Sequence, residues 1–403
     1  MNFKSLLLGS AAAIVLAGGA QAADLTVAEP VDYVKVCDAF GAGFFYSPGT
    51  DTCIKVGGYV EFGTSFGGGD FGGLNSSNNN WGNFYTEVSI QLTASSVTEY
   101  GNLTGFIDMR AKTGNSAPGG ETLSDYVNAS TNSAYVDSAY LELGPIKAGY
   151  FTSLFDFGRG YDDTGMFGSD STTDHIQLTY AVNGFGLSLS VEDQRDRGSF
   201  GYFEDQFGND LGNENIPDIV AAATYSSGIF SAKIAGAYTN SAVDYGTLEG
   251  QDGWAIGGGL EIALDNFSAG DRFFVSAAYG DNANSFTGIS GGTSVAGAIS
   301  GFDDDSFATA TGSSWSALAS YKHVWTPQLW SSLSGGYANF DGSDYFDGYS
   351  IDAWRVGFNT AYTPVKGLDL VADVFYTDVD IKDGSLKASG DSWTANLFLK
   401  RSW

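Results

Sequence analysis

The chain is predicted to be all-β: a transmembrane antiparallel barrel of about 16 strands whose third long loop folds inward. Three observations carry that prediction. The sequence begins with an export signal and holds no later apolar span of helical length. Runs of about ten residues alternate apolar with polar side chains, the period of a half-lipid-facing strand. The last such run, Trp393 to Trp403, ends the chain on an aromatic residue.

Met1 to Ala22 has a cationic start at Lys4, an apolar centre from Leu6 to Leu16 and the small-residue exit Ala20-Gln21-Ala22. It reads as a secretory signal peptide cleaved after Ala22, too short to span a bilayer. Residues 23–52 are expected to form a periplasmic lead-in containing Cys37, and residues 53–403 the barrel. No later stretch approaches the roughly 20 continuous apolar residues of a membrane helix. An exported chain without that anchor is secreted, periplasmic or a barrel.

Composition favours the barrel. Mean hydropathy is close to zero, because outward apolar and inward polar residues cancel in such a wall. The chain holds 56 Gly, 22 Tyr and 29 Phe but only 7 Pro, which suits many strands with tight turns and aromatic girdles. A net charge of −29 argues against nucleic acid, which needs basic patches. Acid runs such as Asp303-Asp304-Asp305 read as solvated loops, with divalent-ion binding as the competing reading.

Four strands show the alternation well. Ile54, Val56, Val60 and Phe62 oppose Lys55, Tyr59 and Glu61. Phe84, Thr86, Val88, Ile90 and Leu92 oppose Tyr85, Glu87, Ser89, Gln91 and Thr93. Leu103, Ile107 and Met109 oppose Thr104, Asp108 and Arg110. Trp354, Val356, Phe358 and Tyr362 oppose Arg355, Gly357 and Asn359. The closing run sets Trp393, Ala395, Leu397 and Leu399 against Thr394, Asn396, Phe398 and Lys400. Runs 134–143, 219–226 and 315–324 have mixed faces and are weaker.

Tight connections fall at Gly144-Pro145, Asn183 to Gly186, Ser227-Gly228, Asp265 to Gly270, Thr326 to Gln328 and Thr363 to Gly367. Long polar connections are expected at 67–80, 112–133, 152–174, 193–216, 240–251, 280–312, 341–350 and 379–390. Short turns at one end and long loops at the other are the periplasmic and extracellular signature of these barrels. A secreted sandwich or propeller is the competing architecture. Against it, Tyr225, Tyr238, Trp254, Tyr279, Trp354, Tyr362 and Trp403 lie near strand ends, where interfacial girdles belong.

Cys37 and Cys53 are close in an exported chain, which favours a disulfide worth about 3 kcal/mol in the chain-entropy model. The sequence has no Cys-x-x-Cys and no His near this pair, so a redox or metal role is not expected and no cofactor is implied.

Residues 29–60 carry a resemblance. The block runs from Glu29-Pro30-Val31-Asp32-Tyr33 through Cys37 and Cys53 to Gly57-Gly58-Tyr59-Val60. It closely resembles the amino terminus of alphaproteobacterial general porins of the Brucella and Rhizobium type. The closing strand also matches; in that class a C-terminal aromatic, most often Phe, is the insertion signal, and Trp403 is a tolerated variant. The resemblance implies a sixteen-stranded homotrimeric diffusion pore in the bacterial outer membrane. Lipid and lipopolysaccharide would surround it, and small hydrophilic solutes and ions would pass.

A lumen that passes hydrated solutes follows from strand number: about eight strands fill with side chains, whereas about sixteen leave a channel. The loop after strand 146–151 carries Leu154, Phe155, Phe157, Met166 and Phe167, more apolar residues than an exposed loop needs. It is expected to fold inward and form the eyelet, as the third loop does in the resembling family. Asp156, Asp162, Asp163 and Asp170, with Arg159 among them, would place mostly negative charge at the constriction. On the strand phases Lys55, Arg110, Lys147, Lys233 and Arg355 point into the lumen opposite them. Facing charges in a narrow throat create a transverse field, and the excess of acid predicts a weak cation preference. Lys112, near a strand end, is read as a loop residue.

Enzyme chemistry finds little support. His175 and His323 are the only histidines, and neither sits in a nucleophile pattern. Gly257-Gly258-Gly259 lies within a strand, so it gives room for the inward loop or a neighbouring subunit rather than a phosphate cradle. The alternative function is a structural or adhesive barrel, its lumen closed by the loop and its acidic loops, especially 280–312, displayed outward. Tyr59, Tyr85 and Phe106 face inward without forming the continuous ladder of a sugar channel.

Overall fold

The computed structural model describes residues 36–69, 84–113, 133–197, 216–244, 249–289, 310–383 and 386–403. The expected signal peptide, residues 23–35 and the Asp303–Asp305 run lie outside them. Among the described residues seventeen strands follow one another. The first six are β1 (Phe45–Tyr46), β2 (Cys53–Gly69), β3 (Phe84–Thr98), β4 (Gly101–Thr113), β5 (Ser133–Leu143) and β6 (Ile146–Thr152). Next come β7 (Thr172–Val182), β8 (Phe185–Glu192), β9 (Asp218–Ser226), β10 (Phe230–Asp244), β11 (Glu249–Ala263) and β12 (Arg272–Asp281). The last five are β13 (Gly312–Thr326), β14 (Leu329–Gly342), β15 (Ser350–Val365), β16 (Leu368–Asp383) and β17 (Leu386–Ser402).

From β2 to β17 each strand pairs antiparallel with its chain neighbour, and β17 returns to β2, so sixteen strands close the barrel. The closing register sets Ser402 opposite Tyr59 and Ser392 opposite Gly69. Closure pairs the last strand with the first, as lipid demands of a spanning sheet. The two residues of β1 pair with Cys53 and Ile54, the stretch of β2 that β17 leaves free. The Cys37–Cys53 disulfide, Cα–Cα 6.0 Å, ties the lead-in to the first residue of β2.

The strand phases read from the sequence hold. Val56, Val60, Phe62, Phe84, Ile90, Leu92, Leu103, Ile107, Met109, Trp354, Val356, Phe358 and Tyr362 are exposed on the outer face. Their opposites Tyr59, Glu61, Ser89, Asp108 and Asn359 are buried within. Aromatic pairs stand at the strand ends: Trp254 with Tyr279 at 5.5 Å and Trp354 with Tyr376 at 5.2 Å on the loop side, and Phe185 with Tyr225 at 4.4 Å on the turn side. The Asn183-Gly184 turn has φ of 50° and 83°, the double positive that a two-residue hairpin following strand twist requires.

Two expected loops are shorter than the sequence suggested. In place of 240–251, β10 continues to Asp244 and β11 starts at Glu249. In place of 379–390, β16 and β17 form a hairpin up to Asp383 opposite Leu386. Val379 and Ile381 there are buried in an inner apolar cluster, whereas Asp378, Asp380 and Lys382 occupy the other phase. Above the lipid an outward side chain meets water, so the apolar outer stripe stops before the strand does.

Candidate pore constriction

Residues 153–171, between β6 and β7, form the third loop, and they fold into the barrel. Apolar burial drives this. Phe155 and Met166 are fully buried, and Leu154 and Phe167 nearly so. Phe155 packs edge-on to Phe286 at 4.9 Å amid Ala222, Ala235, Ala237 and Ala255 of β9–β11. The wall makes room with small residues. A Cβ on Gly257 would lie 3.0 Å from both Phe155 and Phe157, and one on Gly357 would lie 2.9 Å from Met166.

Polar pins then fix the loop along the wall. The Tyr161 hydroxyl donates to Glu261 at 2.7 Å and its backbone N–H to Ser320 Oγ at 3.1 Å. Ser332 Oγ donates to Asp162 Oδ1 at 2.5 Å, and Thr164 Oγ1 to Asp373 Oδ2 at 2.6 Å. Lys233 Nζ donates to the Asp156 carbonyl at 2.8 Å, and Arg355 Nη1 to the Gly165 carbonyl at 3.3 Å. The loop root is held from β8: Glu192 accepts from Ser153 Oγ at 2.7 Å and from the Leu154 N–H at 3.0 Å. The loop therefore follows the wall from β10 round to β17.

Asp163 and Asp170 of the loop come within electrostatic reach of β17 and β2–β5, where the registers align one inward row. Lys400 stands opposite Glu61, Glu61 opposite Glu87, and Glu87 opposite Lys112. Within it Lys400 pairs with Glu61 at 3.1 Å and Lys112 with Glu87 at 3.4 Å. Each ammonium also lies over a ring, Lys400 above Tyr59 at 3.8 Å and Lys112 above Tyr85 at 4.2 Å. Arg110 adds pairs to Asp108 at 3.0 Å and Asp137 at 2.8 Å. Asp137 is the extra residue of a bulge against Asp108 and Met109, which re-aims its side chain.

The expected site residues divide into two groups. Asp163 is exposed to the lumen. Partial desolvation by the surrounding loop and wall pushes its carboxyl up to about 6, with Glu61 and Asp373 adding to the shift while Lys400 and Lys112 oppose it. Asp170 is exposed and pairs with Arg159. Asp156 and Asp162, expected to put negative charge at the constriction with them, are instead buried. Asp156 accepts from Ser169 and from the Ser171 N–H inside the loop. Burial raises its pKa, against the pull of Arg197.

Among the bases, Arg110 belongs to the charged wall. Lys233 and Arg355 hold the loop, Lys147 lies over the Tyr140 and Phe151 rings at 3.7 and 3.9 Å, and Lys55 sits near Phe44 at the turn end. Lys112, expected in a loop, is instead a wall residue of β4 paired with Glu87. Lys400 joins this wall as a site residue beyond those expected. Its inward phase was readable, but its partner Glu61 comes from the other end of the chain.

A closed sixteen-stranded barrel with an aromatic-edged apolar belt and an in-folded third loop defines an outer-membrane channel protein. A family model described as a porin subfamily matches residues 24–400, and the chain belongs to that porin family. It is similar to Porin Omp2b of Brucella abortus strain 2308, 33% identical over 330 residues, covering 70% of this chain and 85% of that one. A Brucella neotomae Porin Omp2b is 37% identical over 245 residues, covering 57% of this chain and 63% of that one. In fold it resembles the outer membrane channel DcaP of Acinetobacter baumannii, with a TM-score of 0.61 and 17% identity, covering 89% of this chain and 99% of that one. The protein is thus a bacterial outer-membrane porin, a channel protein and not an enzyme.

Proposed function

We propose that the protein is a homotrimeric passive-diffusion pore for small hydrophilic solutes and ions, weakly preferring cations, set in lipid and lipopolysaccharide. Residues 1–22 serve as its export signal and 23–52 as a periplasmic lead-in to the 53–403 barrel. The observation that carries this reading is the position of the third loop. It is pinned to the β10–β17 side and leaves exposed Asp163 facing the charged row of β17 and β2–β4. Water then lies between two charged surfaces in a low-dielectric throat, where fixed charges act strongly on passing ions.

The sign of the preference follows from the charges gathered there. Asp163, Asp170, Glu61, Glu87, Asp108 and Asp137 outnumber Arg110, Lys112, Lys400 and Arg159. Most are paired, so the excess is small and the preference weak. Liposome swelling with neutral sugars of graded size tests passive diffusion. Rates that fall smoothly with size and do not saturate are expected. Absence of swelling from folded, inserted protein would instead identify an occluded scaffold.

A further inference from the structure

Behind the tip of the third loop, a second inward row crosses five strands. Ser332 stands opposite Asn359, Asn359 opposite Asp373, Asp373 opposite Asn396, and Asn396 opposite Ser65. The loop docks on this row through Asp162 and Thr164. One carboxylate oxygen of each acid is satisfied: Asp162 Oδ1 by Ser332, and Asp373 Oδ2 by the Thr164 hydroxyl at 2.6 Å and its N–H at 3.2 Å. The other oxygens are not. Asp162 Oδ2, Asp373 Oδ1 and the neighbouring Asn359 Oδ1 are all buried without a hydrogen-bond partner. The three residues are 8%, 0% and 2% exposed.

These three orphans share one chemistry, because each is an oxygen acceptor. Among the described residues neither carboxylate forms a direct ion pair, and Arg355 acts on Asp373 only at a distance. Arg355, on the same wall, gives its Nε to Thr377 and its Nη1 to the Gly165 carbonyl. Two buried carboxylates side by side repel each other and favour a positive group held directly between them. One proton shared between the acids would leave Asn359 Oδ1 without a partner, whereas a cation serves all three. Oxygen-only donors, two of them carboxylates, suit a hard divalent ion that keeps part of its water shell. Glycine at 357 lets the Asp162 carboxylate approach the wall beside Asn359: a Cβ there would lie 2.8 Å from Asp162 Oδ2.

We infer that Asp162, Asn359 and Asp373 bind a divalent cation, calcium or magnesium, which clamps the tip of the third loop to β15 and β16. The clamp deepens the proposed pore function, resting on it only for its effect on conductance; binding itself does not depend on it. An ion held there would neutralise Asp162 and Asp373, leaving Asp163 as the charge that passing solutes meet at the tip.

The test uses the purified, folded, full-length mature protein, stripped with chelator and titrated with CaCl2 and, separately, MgCl2 by calorimetry. One ion per chain is expected, weakened at least about tenfold by Asp373→Asn or Asp162→Asn and tightened about tenfold by Asn359→Asp, which adds a charge to the donor set. The last variant guards against misfolding, since it predicts a gain. Single-channel recordings should be steadier with the ion than in chelator. Binding unchanged by all three substitutions would place the ions on the acidic surface loops and overturn the assignment. No binding, with a melting temperature that follows pH and ignores both metals, would show a shared proton in place of the ion. Either failure leaves solute flux, and so the pore reading, intact.

Discussion

Arg197 Nη2 lies 2.9 Å from Glu192 Oε2, and both side chains are buried where the third loop leaves the wall. Arg197 also donates to Ser153 at the loop root and lies 3.8 Å from the Phe286 ring. Arg197 thus joins the root of the third loop to the short turn after β8 and to the segment after β12. Removing one partner of a buried pair leaves the other charge uncompensated, at about 3–5 kcal/mol. Arg197→Ala is therefore predicted to lower the thermal unfolding midpoint clearly and to make open-channel current noisy. Thermal melts followed by circular dichroism, with bilayer recordings, check both effects.

Gly257 is the wall position that receives Phe155 and Phe157. Valine there would overpack the contact at about 1–3 kcal/mol, and the cheapest relief is for the loop to move toward the lumen. Gly257→Val should therefore reduce single-channel conductance as well as stability. Gly236 in β10 serves as the control, because a Cβ there meets only one backbone oxygen at 3.8 Å. Gly236→Ala should leave conductance unchanged.

With divalent ions removed by chelator, Asp163 gives the pore a pH dependence with a defined sign. Its carboxyl sits near 6, above its ordinary 3.8, so it is largely ionised at pH 7 and largely neutral at pH 5. Cation preference should fall as pH drops from 7 to 5, and Asp163→Asn should remove most of that change. The folded state holds this proton more tightly than the unfolded one. At this group alone, acidification through the same window therefore adds stability, and raising pH removes it. Zero-current potentials at a series of pH values check the first effect.

Lys112 and Lys400 offset the acids of the facing row. Substituting both by Met keeps their bulk and removes two positive charges, leaving Glu61 and Glu87 unpaired. The double variant should prefer cations more strongly than the parent, by several-fold in permeability ratio. An unchanged ratio would mean that ions do not pass along this row.

Much of the barrel was legible because lipid imposes a simple rule on the outer face. Val56, Val60 and Phe62 had to alternate with polar neighbours, and they do so in the structure. The third loop betrayed itself by Phe155, Met166 and Phe167, which no exposed loop needs. What stayed hidden depends on long-range register. Nothing local says that Lys400 will stand opposite Glu61, or that Asn359 and Asp373 will share a row. Four aspartates in one loop likewise look equivalent in sequence. Asp156 turns into the loop toward Ser169 and Ser171, Asp162 docks on the wall at Gly357, and Asp163 and Asp170 keep exposed surface, a division set by long-range packing.

The most direct test is single-channel recording in a planar bilayer under a KCl gradient, with the wild-type protein beside Asp163→Lys. Stable steps are expected from both, with a small cation-favouring potential in the wild type and a potential of opposite sign in the variant. Identical potentials would place the selective charges away from the third loop. No steps from folded, inserted wild-type protein would contradict the pore itself.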